Sequence, residues 1–309
     1  MKVYKSIDDY QSIKKSFLTI GTFDGVHIGH QAIIKKLVNS SHSKNAHAVV
    51  LTFFPHPRSV VKNEKNVPLI DSLKEKEKML RQLGVDVLII HPFNLEFSNL
   101  SAEKFTRDIL VNSLNVSRIF IGYDHRFGKN RTASVSELIS YGKTYSFDVE
   151  VIPAQDIDAI SVSSTKIRHA LSEGNIEIVS KYLGRDYALE GIVEHDQGLG
   201  SKIGFPTANI QVTPKYKILP KNGVYWVSMV WRGLKYFGML NFGVRPSLSV
   251  KKKTIEVHFF NFDENIYNQT IKINFHSKIR DEKKFESIES LITQLKIDKE
   301  FCRELEKNK

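Results

Sequence analysis

From residue 16 to residue 152 the sequence alternates short apolar runs with amphipathic stretches of helical period, a rhythm that leaves few folds open. Ser16–Ile20 reads as a buried strand, and 31–38 as a helix with Ile33, Ile34, Leu37 and Val38 on one face. Further strands are predicted at 46–53, 85–90, 119–122 and 149–152. The helices between them fall at 71–83, 101–114 and 134–145. The first has Leu73, Met79, Leu80 and Leu83 inward and Gly84 as its stop; the second has Ser101 as its cap and Glu103 in its first turn. Adjacent parallel strands need a crossover, so the pattern is α/β: a parallel sheet with helices on both faces. Ligands of such sheets sit at the carboxyl ends of the strands. His27, His30, His56, Asp124 and Arg126 each follow such an end.

The turn after the first of these strands is Gly21-Thr22-Phe23-Asp24-Gly25-Val26-His27-Ile28-Gly29-His30. A strand, a tight glycine turn and a helix N-terminus make an anion site. The first helical N–H groups have no intrahelical partner, and the helix dipole places partial positive charge there. His27 and His30 add two imidazoles beside the same helix end, and Gly29 lets a phosphate approach the backbone. His-x-Gly-His after a strand resembles the signature of nucleotidyltransferases that act on the α-phosphate of ATP. Ser163-Ser164-Thr165-Lys166-Ile167-Arg168 opens a second helix, ending near Gly174. Its hydroxyls can cap the helix and hold phosphate oxygens, and Arg168 lies one turn on, within reach of the same anion. Gly122-Tyr123-Asp124-His125-Arg126-Phe127-Gly128-Lys129 offers an acid, cations and aromatics in one loop, suited to a flat, phosphorylated acceptor. In Phe54-Pro55-His56-Pro57 two prolines fix the backbone around His56.

With 309 residues there is room for two domains, and the patterning changes after Tyr182-Leu183-Gly184-Arg185. The expected division is 1–184 and 185–309. The second part reads as short strands at 187–194, 224–231, 235–241, 254–260 and 270–275, which argues an antiparallel sandwich or barrel. A terminal helix follows at 285–307, with Ile288, Leu291, Ile292, Leu295 and Phe301 as its apolar positions. Gly198-Leu199-Gly200-Ser201-Lys202-Ile203-Gly204-Phe205-Pro206-Thr207-Ala208-Asn209 carries three glycines able to wrap a phosphate chain. Thr207 and Asn209 alternate onto one face and offer hard oxygen ligands of the kind Mg²⁺ takes alongside substrate phosphates. Glu256 lies on the opposite strand face from Ile255 and Val257.

The single Cys302 excludes an intrachain disulfide and a cysteine zinc site. No apolar run approaches the roughly 20 residues that span a bilayer, and the first ten residues show no secretory h-region. A cytoplasmic location is therefore expected. The net charge of +11 is compatible with polyanionic ligands, and it keeps a nucleic-acid-binding regulator in view, although no basic run of five supports one.

Taken together, these motifs resemble the bifunctional riboflavin kinase/FAD synthetases of bacteria, in family order from about Leu18 to the last helix. The resemblance implies an N-terminal Rossmann-like FMN adenylyltransferase domain and a C-terminal riboflavin kinase β-barrel, with ATP, riboflavin and FMN as substrates and Mg²⁺ accompanying ATP. It implies that His27 and His30 stabilise the ATP phosphates and the transition state, within a nucleotide site that includes Gly21, Phe23 and Gly29. Ser163, Ser164, Thr165 and Arg168 would hold the triphosphate, and Asp124, Arg126 and Phe127 would help form the FMN site. In the kinase half, Gly198, Gly200, Gly204 and Pro206 would shape the ATP loop, Thr207 and Asn209 would hold Mg²⁺-ATP, and Glu256 would be the base. Asn241-Phe242-Gly243-Val244-Arg245-Pro246-Ser247 matches a segment near the flavin, which brings in Arg245. Phe54, His125, Ser201 and Ser247 depart from the commonest family pattern. An adenylyltransferase with a flavin-binding but inactive barrel is the alternative; its mark would be loss of Thr207, Asn209 or Glu256, and all three are present.

Overall fold

A computed structural model describes residues 1–11, 14–62, 64, 67–153, 162–195, 199–246 and 251–307, with the backbone alone at 199, 244–246 and 251–253. The chain divides into two compact units, Met1–Ser164 and Thr165–Lys309.

The first unit is built on six strands: β1 (Lys2–Tyr4), β2 (Ser16–Ile20), β3 (His47–Phe54), β4 (Val87–Pro92), β5 (Val116–Gly122) and β6 (Asp148–Ile152). They lie in the order β1-β4-β3-β2-β5-β6, and every pairing is parallel. Alternation along the strands feeds two cores. Phe17, Ala48, Val50, Leu88 and Phe120 pack with Ile33, Ile34, Leu37 and Leu80 on one face. Leu18, Ile20, Val49, Leu51, Ile119 and Ile121 pack with Phe105, Leu110 and Leu138 on the other. The chain builds outward from β2 through β3 to β4, then returns to place β5 on β2's other side. The carboxyl ends of β2 and β5 thus flank a topological switch point, where such sheets open a crevice.

The helices fall close to their expected places. The first is longer than foreseen, Ile28–Ser43, and so includes His30. Leu73–Gln82 starts at a Ser72–Glu75 capping box, and Val135–Tyr145 at one formed by Ser134 and Glu137. Ser101 caps the helix after β4, accepting from Lys104 N–H at 3.2 Å, but the run is α-helical only over Ala102–Lys104 and π-helical over Phe105–Ser113. β1 was not foreseen: a three-residue strand has too little periodicity to signal itself, and its pairing on the β4 edge defines it.

The helix Ser164–Glu173, which starts at the last residue of the first unit, and the unforeseen Ile176–Leu183 precede the barrel in sequence. Six antiparallel strands then close on themselves in the order β10-β11-β8-β7-β12-β9. They are β7 (Tyr187–Glu194), β8 (Ala208–Val212), β9 (Gly223–Trp231), β10 (Leu234–Pro246), β11 (Lys251–Phe259) and β12 (Thr270–Arg280). Leu189, Val193, Tyr225, Val227, Leu240, Val257, Ile273 and Phe275 alternate to one side and are buried. On the opposite side Phe205, Trp226, Met239 and Phe260 pack with Cys302 and with Ile292, Leu295 and Leu305 of the terminal helix Ile288–Lys307. Two of that helix's expected apolar positions are corrected here, since Ile288 and Phe301 are 56% and 44% exposed. Asp298 is buried instead, because Arg280 at the end of β12 grips it through Nη2 at 2.7 Å and Nε at 3.0 Å.

Candidate active site

The turn between β2 and the first helix is held in a conformation that its sequence does not favour. Phe23 and Val26 have φ of 44° and 35°, joined by Gly25 at 88°. Left-handed φ is easy for glycine but strained for a β-branched residue, and it persists only where surroundings over-determine it. The surroundings here are a set of hydrogen bonds to the turn's own carbonyls. Thr52 Oγ1 donates to Thr22 O at 3.2 Å, Ser164 Oγ to Asp24 O at 2.8 Å, and Gln31 Nε2 to Val26 O at 2.9 Å. Asp24, almost fully buried, accepts the N–H groups of Ile70 (2.9 Å) and Asp71 (3.3 Å).

His27 is the N-cap of the helix. Its Nδ1 accepts the N–H of His30 at 3.3 Å, which places the proton of the neutral ring on Nε2. The two imidazoles are stacked, with centroids 3.6 Å apart and planes at 18°. Phe23 meets His30 edge-on at 5.1 Å, and a side chain at Gly21 would crowd the Phe23 ring. His30 has its Nδ1 buried without a partner. Burial, then His27, then Lys76 hold its pKa well below the ordinary imidazole range, so the ring is neutral at pH 7. With His30 N–H taken up by His27, the amides of Ile28 and of buried Gly29 remain the outward donors of this helix end.

Ser164 opens the helix that carries Thr165 and Arg168, and its hydroxyl reaches the turn directly. Ser163 and Arg168 are half-buried and Thr165 is exposed. After β5, Asp124 and Arg126 are exposed, whereas Phe127 is buried against Phe105 at 6.0 Å and bridges Ala133. His125 stacks on Phe127 at 6.2 Å, and burial pushes its pKa down to about 4. His56 caps the short helix Pro57–Val61, its Nδ1 accepting the N–H of Arg58 at 3.1 Å. An aromatic group that sequence reasoning missed gathers beyond β3 and β4: Phe97 lies 5.5 Å from Phe53 and 5.7 Å from Phe93. Phe53 is remote in sequence from Phe93 and Phe97, and the pairing of β3 with β4 brings them together.

In the barrel, register does the assembling. Glu194 pairs with Asn209, Asn209 with Glu256, and Glu256 with Asn241 across β7, β8, β11 and β10. Paired residues share a face, so four polar side chains form one row, opposite the buried Val193, Ile210, Val257 and Leu240. Asn209 Nδ2 is buried without a partner. A cavity of about 310 Å³ adjoins the row, lined by Glu194, Asn209, Thr254, Phe242, Lys215 and Lys217. The glycine stretch before β8 is more compact than the expected wrapping loop. Residues Leu199–Lys202 form a helical turn, closed by Phe205 N–H donating to Gly200 O at 2.9 Å. A Cβ on Gly200 would lie 2.4 Å from Phe205 O and 3.0 Å from Thr207 Oγ1, and Gly204 has φ of 83°. Pro206 O accepts from His258 Nδ1 at 2.8 Å, so His258, two residues beyond Glu256 on the same face, ties the Thr207 segment to β11. His258 and the two lysines went unnoticed in the sequence; the β8–β11 pairing brings His258 to this segment, and the lysines line the same cavity as Asn209. Gly198, Ser247 and the Arg245 side chain lie outside the described residues.

A helix-capped imidazole pair at the switch point of a parallel sheet, followed by a closed barrel bearing an Asn/Glu row, defines a two-unit protein that handles phosphate groups in both halves. Residues 9–166 match the FAD synthetase family and residues 183–306 the riboflavin kinase family. The chain is 36% identical over 308 residues to a bifunctional riboflavin kinase/FMN adenylyltransferase of Buchnera aphidicola, covering 98% of each chain. It is also 36% identical to the protein of that name in Listeria monocytogenes, over 96% of this chain and 94% of the other, and 34% to that of Escherichia coli K12, over 93% and 91%. A solved structure described as a macrolide-efflux protein from Streptococcus pneumoniae matches with a TM-score of 0.89 and 29% identity, over 98% of both chains. Among the described residues no helix is long and apolar enough to cross a membrane. The chain belongs to the bifunctional riboflavin kinase/FMN adenylyltransferase family.

Proposed function

We infer that this protein makes FAD in two ATP-dependent steps: phosphorylation of riboflavin to FMN, and adenylylation of FMN with release of pyrophosphate. The observation that carries the reading is that one chain holds both the His27–His30 pair on a helix end and the Asn209–Glu256 pair in the barrel wall. In the adenylyl step the Nε2–H of His27, the His30 ring and the amides of Ile28 and Gly29 donate to ATP phosphates as charge builds at the α-phosphorus. Ser163, Thr165 and Arg168 hold the β- and γ-phosphates together with the N–H of Ser164, whose hydroxyl is committed to the Asp24 carbonyl. Asp124 and Arg126 meet FMN on a loop held from below by Phe127, and Phe53, Phe93 and Phe97 offer faces for its ring.

In the kinase step Glu256 takes the proton of the ribityl hydroxyl. Asn209 offers a hard cation its Oδ1 at a strand position paired with Glu194 and Glu256, Thr207 adds a hydroxyl two residues earlier, and the buried, unpaired Nδ2 of Asn209 is a donor suited to a phosphate oxygen. Thr207 and Asn209 would hold Mg²⁺ together with ATP, and the ion would supply charge neutralisation at the transferring phosphoryl group. Among the described residues no cluster of three or more His, Cys, Asp or Glu could hold a metal, so substrate phosphates would supply the remaining ligands. The functional division falls at 1–184 and 185–309, and the protein works in the cytoplasm.

Purified protein with riboflavin, ATP and Mg²⁺, its products resolved by chromatography, tests the reading. FMN and then FAD are expected. FAD from supplied FMN but no FMN from riboflavin would establish the inactive-barrel alternative, and neither product would overturn the assignment.

A further inference from the structure

The helix Leu73–Gln82 carries a lysine where its apolar stripe should run. Lys76 lies three residues after Leu73 and four before Leu80, and is 3% exposed. Burying an ammonium is expensive unless it is paired and hydrogen-bonded. Lys76 Nζ donates to the carbonyl of Thr22 at 2.7 Å, the same carbonyl that Thr52 reaches. Burial draws its pKa down, while Asp24 and Asp71, themselves 1% and 2% exposed, draw it up. Neither proposed reaction step uses this group directly, yet it sits under the turn that both histidines depend on.

We propose that Lys76 is a positioning residue for adenylyl transfer, its ammonium clamping the Thr22 carbonyl and Asp24 so that residues 22–27 keep the strained path that sets His27 and His30. The role rests on the adenylyltransferase reading. The strain at Phe23 and Val26 needs outside support, and Lys76 supplies it from a helix that is otherwise uninvolved in the site. Its charge has a second effect: it disfavours a proton on His30. Losing the ammonium therefore loosens the turn and makes His30 easier to protonate.

The test is Lys76→Met in the full chain, with FAD formation from FMN and FMN formation from riboflavin measured side by side. A misplacement of about 1 Å costs on the order of 10²-fold in rate, so a fall of that order in kcat for FAD formation is expected. KM for ATP should stay within about threefold, because ground-state phosphate contacts remain. FMN formation should be unchanged, and Lys76→Arg should recover part of the loss. The His30 ring, followed by NMR titration and assigned with His30→Gln, should titrate at higher pH in the Met variant. The clamp is overturned by FAD formation within about twofold of the parent, far short of that expectation, by a raised KM with intact kcat, or by equal loss of both reactions. A parent that makes no FAD would overturn the activity instead. In that case the His30 titration still decides the clamp, an unmoved pKa counting against it. Should the Met variant not fold, Thr52→Val takes its place: loss of one neutral hydrogen bond should slow FAD formation roughly two- to tenfold, and an unchanged rate overturns the proposal.

Discussion

A histidine whose Nδ1 caps its own helix can offer a substrate only its other nitrogen. That is the state of His27, whose Nδ1 accepts from His30 N–H and leaves Nε2 as the nitrogen that can donate. His27→Ala therefore removes a cap and a donor together, and His30→Ala removes its ring neighbour. Each should lower FAD formation by about 10²–10³-fold and leave FMN formation intact, as measured by single-turnover rates for the two steps. Arg168→Ala should instead raise KM for ATP in the same reaction, since phosphate binding in the ground state is also lost. At Glu256 the chemistry is proton removal. Glu256→Gln keeps the shape and should slow FMN formation by about 10²–10⁴-fold at saturating ATP and Mg²⁺, with FAD formation from supplied FMN near normal. A Gln variant within about twofold of the parent, well outside that range, would return Glu256 to a solvated strand position. The histidines could be singled out from their motif and spacing, and Glu256 only through the family resemblance. Lys76 and His258 could not, although a lysine on an apolar helical stripe is itself a signal.

Elements decide whether those side chains meet. The Asn209–Glu256 pair exists because β8 and β11 run antiparallel with those residues in register; a one-residue slip would turn one of them toward the barrel interior. The segment entering β8 is equally constrained. Gly200→Ala would drive a Cβ to 2.4 Å from the Phe205 carbonyl, so backbone must move and Thr207 with it. That variant should weaken Mg²⁺-ATP use in FMN formation and leave FAD formation unchanged, a split that steady-state kinetics on both substrates would reveal. On the terminal helix, the 2%-exposed Asp298 is satisfied by Arg280 and Gln294. Asp298→Ala strands the guanidinium and should destabilise the second unit by about 3–5 kcal/mol, read as a lower denaturation midpoint. Amphipathic spacing could not foresee that Asp298 goes in while Phe301 stays out, because the partner that draws it inward lies on β12.

At the scale of the whole molecule, acid should act on the first unit through its buried imidazoles. Burial lowers the pKa of His125 to about 4 and depresses those of His30 and His91 as well. Between about pH 6.5 and 4 the unfolded chain binds more protons than the folded one, so stability rises with pH across that window and is lost as pH falls through it. Denaturant titrations from pH 7 to 4 should show this decline, and His125→Gln should flatten it. By itself the sequence determined the two-part architecture, the parallel sheet and the strand-rich second half, and it pointed to the two glycine-bearing motifs proposed to hold phosphate. Those features are written in local periodicity and in short glycine-bearing segments, whose conformations depend on near neighbours. Tertiary structure alone decided which distant residues complete them: Ser164 on the Asp24 carbonyl, Lys76 under Thr22, Asn209 opposite Glu256, and the aromatic group beyond β3 and β4. Those pairings follow from sheet order, strand register and burial, and each requires the chain to close on itself before any local pattern can express it.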